Sequence, residues 1–169
     1  MKRAVWLAFV AALAVTAFSA LPAAAESGWI AAGLGVVSGK PSHGWVYGEV
    51  QLQDDFALAA EYVSPGFSVF GRFGGEKGPY AQVGFGDGKM SSWELGLWAK
   101  TGLTSTVSAA GWIGLQGSFN SVSNVLVAVQ GEIYFPISGN LMAVVGAETA
   151  LGSSTTVPVR AYLGVGTEF

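Results

Sequence analysis

The stretch that decides the fold is the last one, "VPVRAYLGVGTEF", residues 157–169. Val157, Val159, Leu163, Val165 and Phe169 fall at odd positions, while Arg160, Tyr162 and Glu168 fall at even ones with Gly164 and Gly166 between them. A period of two marks a β-strand with two chemically distinct faces. This strand stops on an unprotected aromatic residue.

The same alternation recurs back along the chain. It predicts strands at about 29–38, 44–53, 56–64, 67–73, 79–87, 92–100, 107–118, 125–135, 141–151 and 157–169. Between them lie turn-forming clusters such as "DD", "SPG", "GGEKG", "DGK" and "PISGN", with Pro65-Gly66 suited to the centre of a type II turn. Ten strands result, with eight as the alternative if the short segments 56–64 and 67–73 are misassigned. No apolar run after residue 25 is long enough for a membrane-crossing helix.

Residues 1–25 read differently. Lys2 and Arg3 precede an apolar run, Pro22 and Ala23-Ala24-Ala25, the pattern of a cleaved secretory leader. One domain, 26–169, remains. It keeps six Lys/Arg against eleven Asp/Glu, a formal charge of about −5, which argues against a nucleic-acid partner. There is no cysteine, so disulfides, thiol nucleophiles and thiolate metal sites are excluded. Charged residues make up only 11% of the chain where a soluble domain carries about a quarter. Something other than water is expected to cover part of the surface.

Sorting strands by parity separates an almost uncharged face, with Leu34, Val50, Leu58, Val69, Val83, Leu95, Leu97, Ile113, Leu115, Val127, Val145 and Leu163, from one that gathers the charge. The charged face carries Glu49, Glu61, Arg72, Glu94, Lys100, Glu132, Glu148 and Arg160, with Tyr47, Tyr80, Tyr134, Tyr162, Gln51, Gln82, Gln116 and Gln130. It is poor in Lys and rich in Gly and Ala, which make room for long side chains in a narrow lumen. The apolar face then meets lipid. On that face Phe56, Phe73, Phe135 and Phe169 fall at one set of strand ends and Tyr62, Phe67, Phe85, Trp93 and Phe119 at the other, as two aromatic girdles would. The reading is an all-β, closed, antiparallel up-and-down transmembrane barrel.

A leader, about ten alternating segments, two girdles and a terminal strand with Tyr162, Leu163, Val165 and Phe169 resemble the small bacterial outer-membrane barrels of the OmpA-like and OmpX-like kind. The resemblance is architectural and covers 26–169. It implies location in the outer membrane of a Gram-negative cell, contact with outer-membrane lipid, and a last strand read by the barrel-assembly machinery. The links on the far side from the termini are about five residues or fewer, and no periplasmic domain follows Phe169, so adhesion through long loops is not expected.

Counting through the hairpins sets Glu49 opposite Glu61, Arg72 diagonal to Glu61, and Glu148 opposite Arg160. Paired Glu and Arg fill a narrow interior, or line a small cation-preferring conduit because the carboxylates outnumber the cations. Structural plug and narrow pore therefore both stand. Two alternatives remain. His43, the single histidine, lies beside Ser42 in the first far link and is the candidate for a lipid- or peptide-modifying enzyme, although no triad spacing accompanies it and Asp54-Asp55 lie at the other end. A soluble exported ligand-binding barrel would need the apolar face inside. No cofactor or metal site is signalled, and "VGFGDGKM" fails as a phosphate loop because Val83 and Met90 replace required residues.

Overall fold

The computed structural model describes residues 27–37, 40–63, 66–86, 89–119, 121–152 and 157–169, with 40–42 and 121–124 described as backbone alone. The expected leader 1–25, Pro65 of the expected turn, the side chain of Ser42 and residues 153–156 of the last link lie outside the described residues.

Ten strands run β1 (Ser27–Val37), β2 (Lys40–Gln53), β3 (Phe56–Val63), β4 (Gly66–Phe73), β5 (Lys77–Gly86), β6 (Lys89–Gly102), β7 (Ser108–Ser118), β8 (Ser121–Ser138), β9 (Leu141–Leu151) and β10 (Arg160–Glu168). Each pairs antiparallel with its neighbour in sequence, and β10 returns to β1, so the sheet closes into an up-and-down barrel. Closure runs from Trp29 opposite Glu168 to Val37 opposite Arg160. It is sealed at the terminal residue, where Gly28 and Phe169 exchange both backbone N–H···O bonds at 2.9 Å. A closed barrel leaves no unpaired strand edge, which is how one sheet can satisfy every backbone group in lipid.

Strands β6 and β8 extend several residues past their expected ends, and β10 begins at Arg160 rather than at 157. The links Asp54-Asp55, 74–76, 103–107 and 139–140 share a rim with Ser27 and Phe169, called the terminal rim below. The opposite ends of the strands mark the far rim. Gly74, at φ +82°, takes the left-handed conformation that a Cβ would disfavour in the 74–76 turn.

The polarity is inside out. On β6 Leu95 and Leu97 are 56% and 61% exposed, whereas Trp98 is 3% exposed. Buried positions point to the barrel interior: Ala31, Ala57, Ala59, Tyr80, Val144 and Tyr162 all share the parity of the charged residues. Val50, of outward parity, is nevertheless covered. Leu34, Ile113, Leu115, Val129, Val145, Leu163 and Val165 continue the exposed apolar surface around the barrel. That surface is far larger than the few hundred Å² a soluble monomer leaves in water, and it is the lipid-facing band of a membrane-spanning barrel. The soluble-barrel reading, which needs those residues inside, does not hold.

Candidate functional site

The functional side chains line the lumen, and β3 explains how the first group meets. Its inward positions 57 and 59 are alanines, 3% and 2% exposed. Arg72 on β4 faces Ala57 and Glu49 on β2 faces Ala59. With nothing bulky between them, the two long side chains reach over β3, and Arg72 Nη2 donates to Glu49 Oε1. Tyr47 donates a second hydrogen bond to Glu49, while the Arg72 guanidinium lies 3.9 Å from the centre of the Trp98 ring. Trp98 is held in turn by its indole N–H to Phe73 O at 3.1 Å.

This arrangement corrects the expected register. A bulge between Gln51 and Gln53 moves the β2–β3 pairing by one residue from the register that Gln53 opposite Phe56 starts, so Glu61 faces Tyr47, two residues from the expected Glu49. Arg72 does not serve Glu61, which faces Ser68 on β4. The partner of Glu61 comes from further round the barrel: Arg160 Nη2 lies 3.5 Å from Glu61 and 2.7 Å from Glu148. Glu148 and Arg160 are directly opposite on β9 and β10, as the hairpin count places them.

His43 joins this second group. Its ring lies over Gly35, in the space a Cβ there would fill, and its Nε2 is 3.4 Å from Arg160 Nη1. It stands in the lumen at the far end, beside a guanidinium, and Asp54-Asp55 are at the terminal rim. Glu132 accepts hydrogen bonds from Tyr134, Tyr162 and Gln130 Nε2 at 3.3 Å. Glu94 accepts one from Tyr80. Lys100 sits at the terminal end with its Nζ 5.3 Å from the centre of the Tyr134 ring. Among the described residues no three His, Asp or Glu side chains converge as metal ligands do.

The lumen also holds five aromatic residues that sorting by charge passed over: Trp29, Trp45, Phe70, Trp98 and Trp112. The available signal was parity within a strand: Trp45 with Glu49, Phe70 with Arg72, Trp98 with Glu94 and Trp112 with Gln116, while β1 offers Trp29 none. Small residues make the space they need. A Cβ on Gly164 would overlap Trp45, one on Gly166 would overlap Trp29, and one on Gly146 would overlap Tyr162. Ring contacts then run Phe70–Tyr47 at 5.7 Å, Tyr47–Trp29 at 6.4 Å and Trp29–Tyr134 at 5.6 Å between centroids. Because β1 and β8 are three strands apart, the last contact crosses the lumen.

On either side of this aromatic waist lies a cavity. The far cavity, of about 620 Å³, includes Glu61, Glu94, Glu132, Glu148 and Arg160 in its wall. The terminal cavity, of about 450 Å³, includes Glu49, Arg72, Lys100 and Glu168. Tyr47 and Trp112 line both.

Outside, the aromatic side chains at the strand ends pair across strands. Phe56 and Phe73 are opposite one another at the terminal rim, with ring centroids 5.0 Å apart. Phe67 and Phe85 stack at 4.6 Å toward the far rim, where Tyr62 faces Phe67. Trp93 covers Gly117, and Phe169 covers Gly28. Phe119 and Phe135 are exposed on the same outward surface.

No protein-family model matches the chain, and no curated protein matches it in sequence. Solved structures do match in fold. The KdgM porin in complex with disordered oligogalacturonate superposes with a TM-score of 0.54 at 12% identity, over 85% of this chain and 99% of that one. A further structure of the KdgM porin gives 0.51 at 12% identity, over 83% and 99%. The Yersinia pestis outer membrane protein Ail, in a phospholipid bilayer nanodisc, gives 0.49 at 12% identity, over 85% and 99%. The fold of this chain is that of the bacterial outer-membrane β-barrels.

Proposed function

We propose that this outer-membrane barrel provides a narrow, cation-preferring passage limited by its aromatic waist. The observation that carries the reading is the pair of lumen cavities meeting at one constriction, where Tyr47 and Trp112 belong to both walls. Barrels of about this strand number leave room mainly for side chains, so the permeant is water-sized or a small ion. Selectivity follows from the walls: Glu49, Glu61, Glu94, Glu132 and Glu148 outnumber Arg72, Lys100 and Arg160. The oligogalacturonate held by the KdgM porin is a polyanion, and these walls favour the opposite sign.

Within the same reading, the girdle residues Phe56, Phe73, Phe135 and Phe169 at one rim and Tyr62, Phe67, Phe85, Trp93 and Phe119 at the other sit at the two lipid headgroup levels. The last strand, ending at Phe169, is the segment presented to the barrel-assembly machinery. His43 has no catalytic part; it stands beside Arg160 as a member of the lumen wall.

A structural role without conduction is favoured by one specific observation, the three hydrogen bonds that Glu132 accepts from Tyr134, Tyr162 and Gln130, because a hydrogen-bonded polar cluster rigidifies a filled interior. Planar-bilayer recording under a KCl gradient separates the two. The passage predicts small steps with a reversal potential of cation-selective sign, and a several-fold larger conductance in Trp29→Ala, which removes the ring that bridges the lumen to Tyr134. Silence in both the wild type and Trp29→Ala would establish the structural role instead.

A further inference from the structure

The two cavities are not equivalent in charge. Counted over side chains, the terminal cavity sets Glu49 and Glu168 against Arg72 and Lys100, a formal balance of zero. The far cavity sets Glu61, Glu94, Glu132 and Glu148 against Arg160 alone, a formal balance of −3. Among the described residues, Glu94 and Glu132 draw their hydrogen bonds from neutral groups: Tyr80 for one, Tyr134, Tyr162 and Gln130 for the other. Glu61 and Glu148 share one guanidinium.

These carboxylates do not form a metal centre, since no three of them converge. They are spread around a wall that also holds Trp45, Phe70, Trp112 and Tyr162. Spaced negative charge among aromatic faces suits a ligand whose positive charges are themselves spaced along an apolar body, because the ring faces attract cations and cover methylenes. The volume of about 620 Å³ falls in the range of small-molecule sites. The wall runs from the waist at Trp112 up to the far-rim residues Gly86 and Val157, so the site lies on the axis of the proposed passage.

We infer that the far cavity is a binding site for a small linear organic polycation, with Glu94 and Glu132 as its principal charge partners and the waist as its floor. The inference rests on the passage reading for its consequence, which is that the bound polycation blocks the lumen. It does not rest on that reading for binding itself.

The test uses the full barrel folded in nanodiscs, titrated with spermidine and followed by tryptophan fluorescence and calorimetry. The site predicts saturable one-to-one binding, about ten-fold weaker in Glu94→Gln and unchanged in Glu168→Gln, which alters only the terminal cavity. Gln82→Lys supplies a second variant: Gln82 lies in the same wall directly opposite Glu94, so the added ammonium weakens binding by a similar factor while leaving Glu94 in place. Heat-shifted gel mobility verifies that each variant is folded. Absence of saturable binding, or equal weakening in Glu168→Gln and Glu94→Gln, overturns the site. Spermidine bound to a barrel that carries no current leaves the site and removes the passage. A conducting barrel that spermidine neither binds nor blocks leaves the passage and removes the site.

Discussion

Arg160 offers the sharpest test of how the lumen is held together. Its Nη2 lies 2.7 Å from Glu148 and 3.5 Å from Glu61, with side-chain exposures of 14% for Arg160, 32% for Glu148 and 19% for Glu61. Arg160→Met keeps most of the volume and removes the charge. Removing one partner of a buried ion pair costs about 3–5 kcal/mol, because the other is left uncompensated. Here two carboxylates lose their partner, which raises the cost, while the partial exposure of Glu148 lowers it. The expected loss is about 3 kcal/mol. With a urea slope of about 2 kcal/mol/M, the unfolding midpoint falls by about 1.5 M. The assay is urea unfolding in lipid vesicles, under conditions where unfolding and refolding curves coincide so that one free energy is defined. The triple variant Arg160→Met, Glu61→Gln, Glu148→Gln should regain most of the loss, since a neutral set avoids the buried charge. A midpoint within about 0.3 M of wild type in the single variant, or no recovery in the triple, would refute the account of these charges.

Four further outcomes follow from the geometry. Leu95→Arg, in the middle of β6 and 56% exposed, places a charge near the bilayer midplane and should cost about 2–4 kcal/mol, while Leu103→Arg in the terminal-rim link should cost little; the same urea assay reads both. Gly146→Ala puts a methyl into the space of the Tyr162 ring, whose hydroxyl is tied to Glu132, and should destabilise by about 1–3 kcal/mol. Gly131→Ala, with nothing within 4 Å of its Cβ, should be neutral or stabilising. Deleting Phe169 removes a doubly hydrogen-bonded pair with Gly28 and the ring that covers it, and should lower the yield of heat-resistant folded barrel on gels.

The barrel was legible in the sequence because lipid outside and a narrow lumen inside impose opposite chemistries on alternate residues. Val157 to Phe169 states that rule in thirteen residues, and β1 to β9 repeat it. Pairing was legible only where a hairpin is regular. The β9–β10 register sets Glu148 against Arg160 directly. The β2–β3 hairpin pairs Gln53 with Phe56 and then carries a bulge at Gln51/Gln53 that parity does not reveal, and together these set Glu61 opposite Tyr47, two residues from Glu49. Contacts that skip a strand were less visible still. Arg72 reaches Glu49 because Ala57 and Ala59 lie between them, and Arg160 reaches Glu61 across the curvature of the closed sheet. The waist escaped a reading organised by charge, since Trp29, Phe70 and Trp112 are apolar or nearly so. Within their strands Phe70 shares the parity of Arg72 and Trp112 that of Gln116, which marked them as inward, whereas β1 gives Trp29 no charged neighbour of its parity and only barrel closure brings it against Tyr134.

The central claim is that the apolar face meets lipid and the charged face meets the lumen. Because the chain has no cysteine, single cysteines can be introduced along β6 and labelled with an environment-sensitive fluorophore in vesicles containing brominated lipid. The account predicts strong quenching by the lipid at positions 95 and 97 and none at 94 and 100, alternating with the strand. Quenching at 94 and 100 with none at 95 and 97, or no alternation at all, would contradict it.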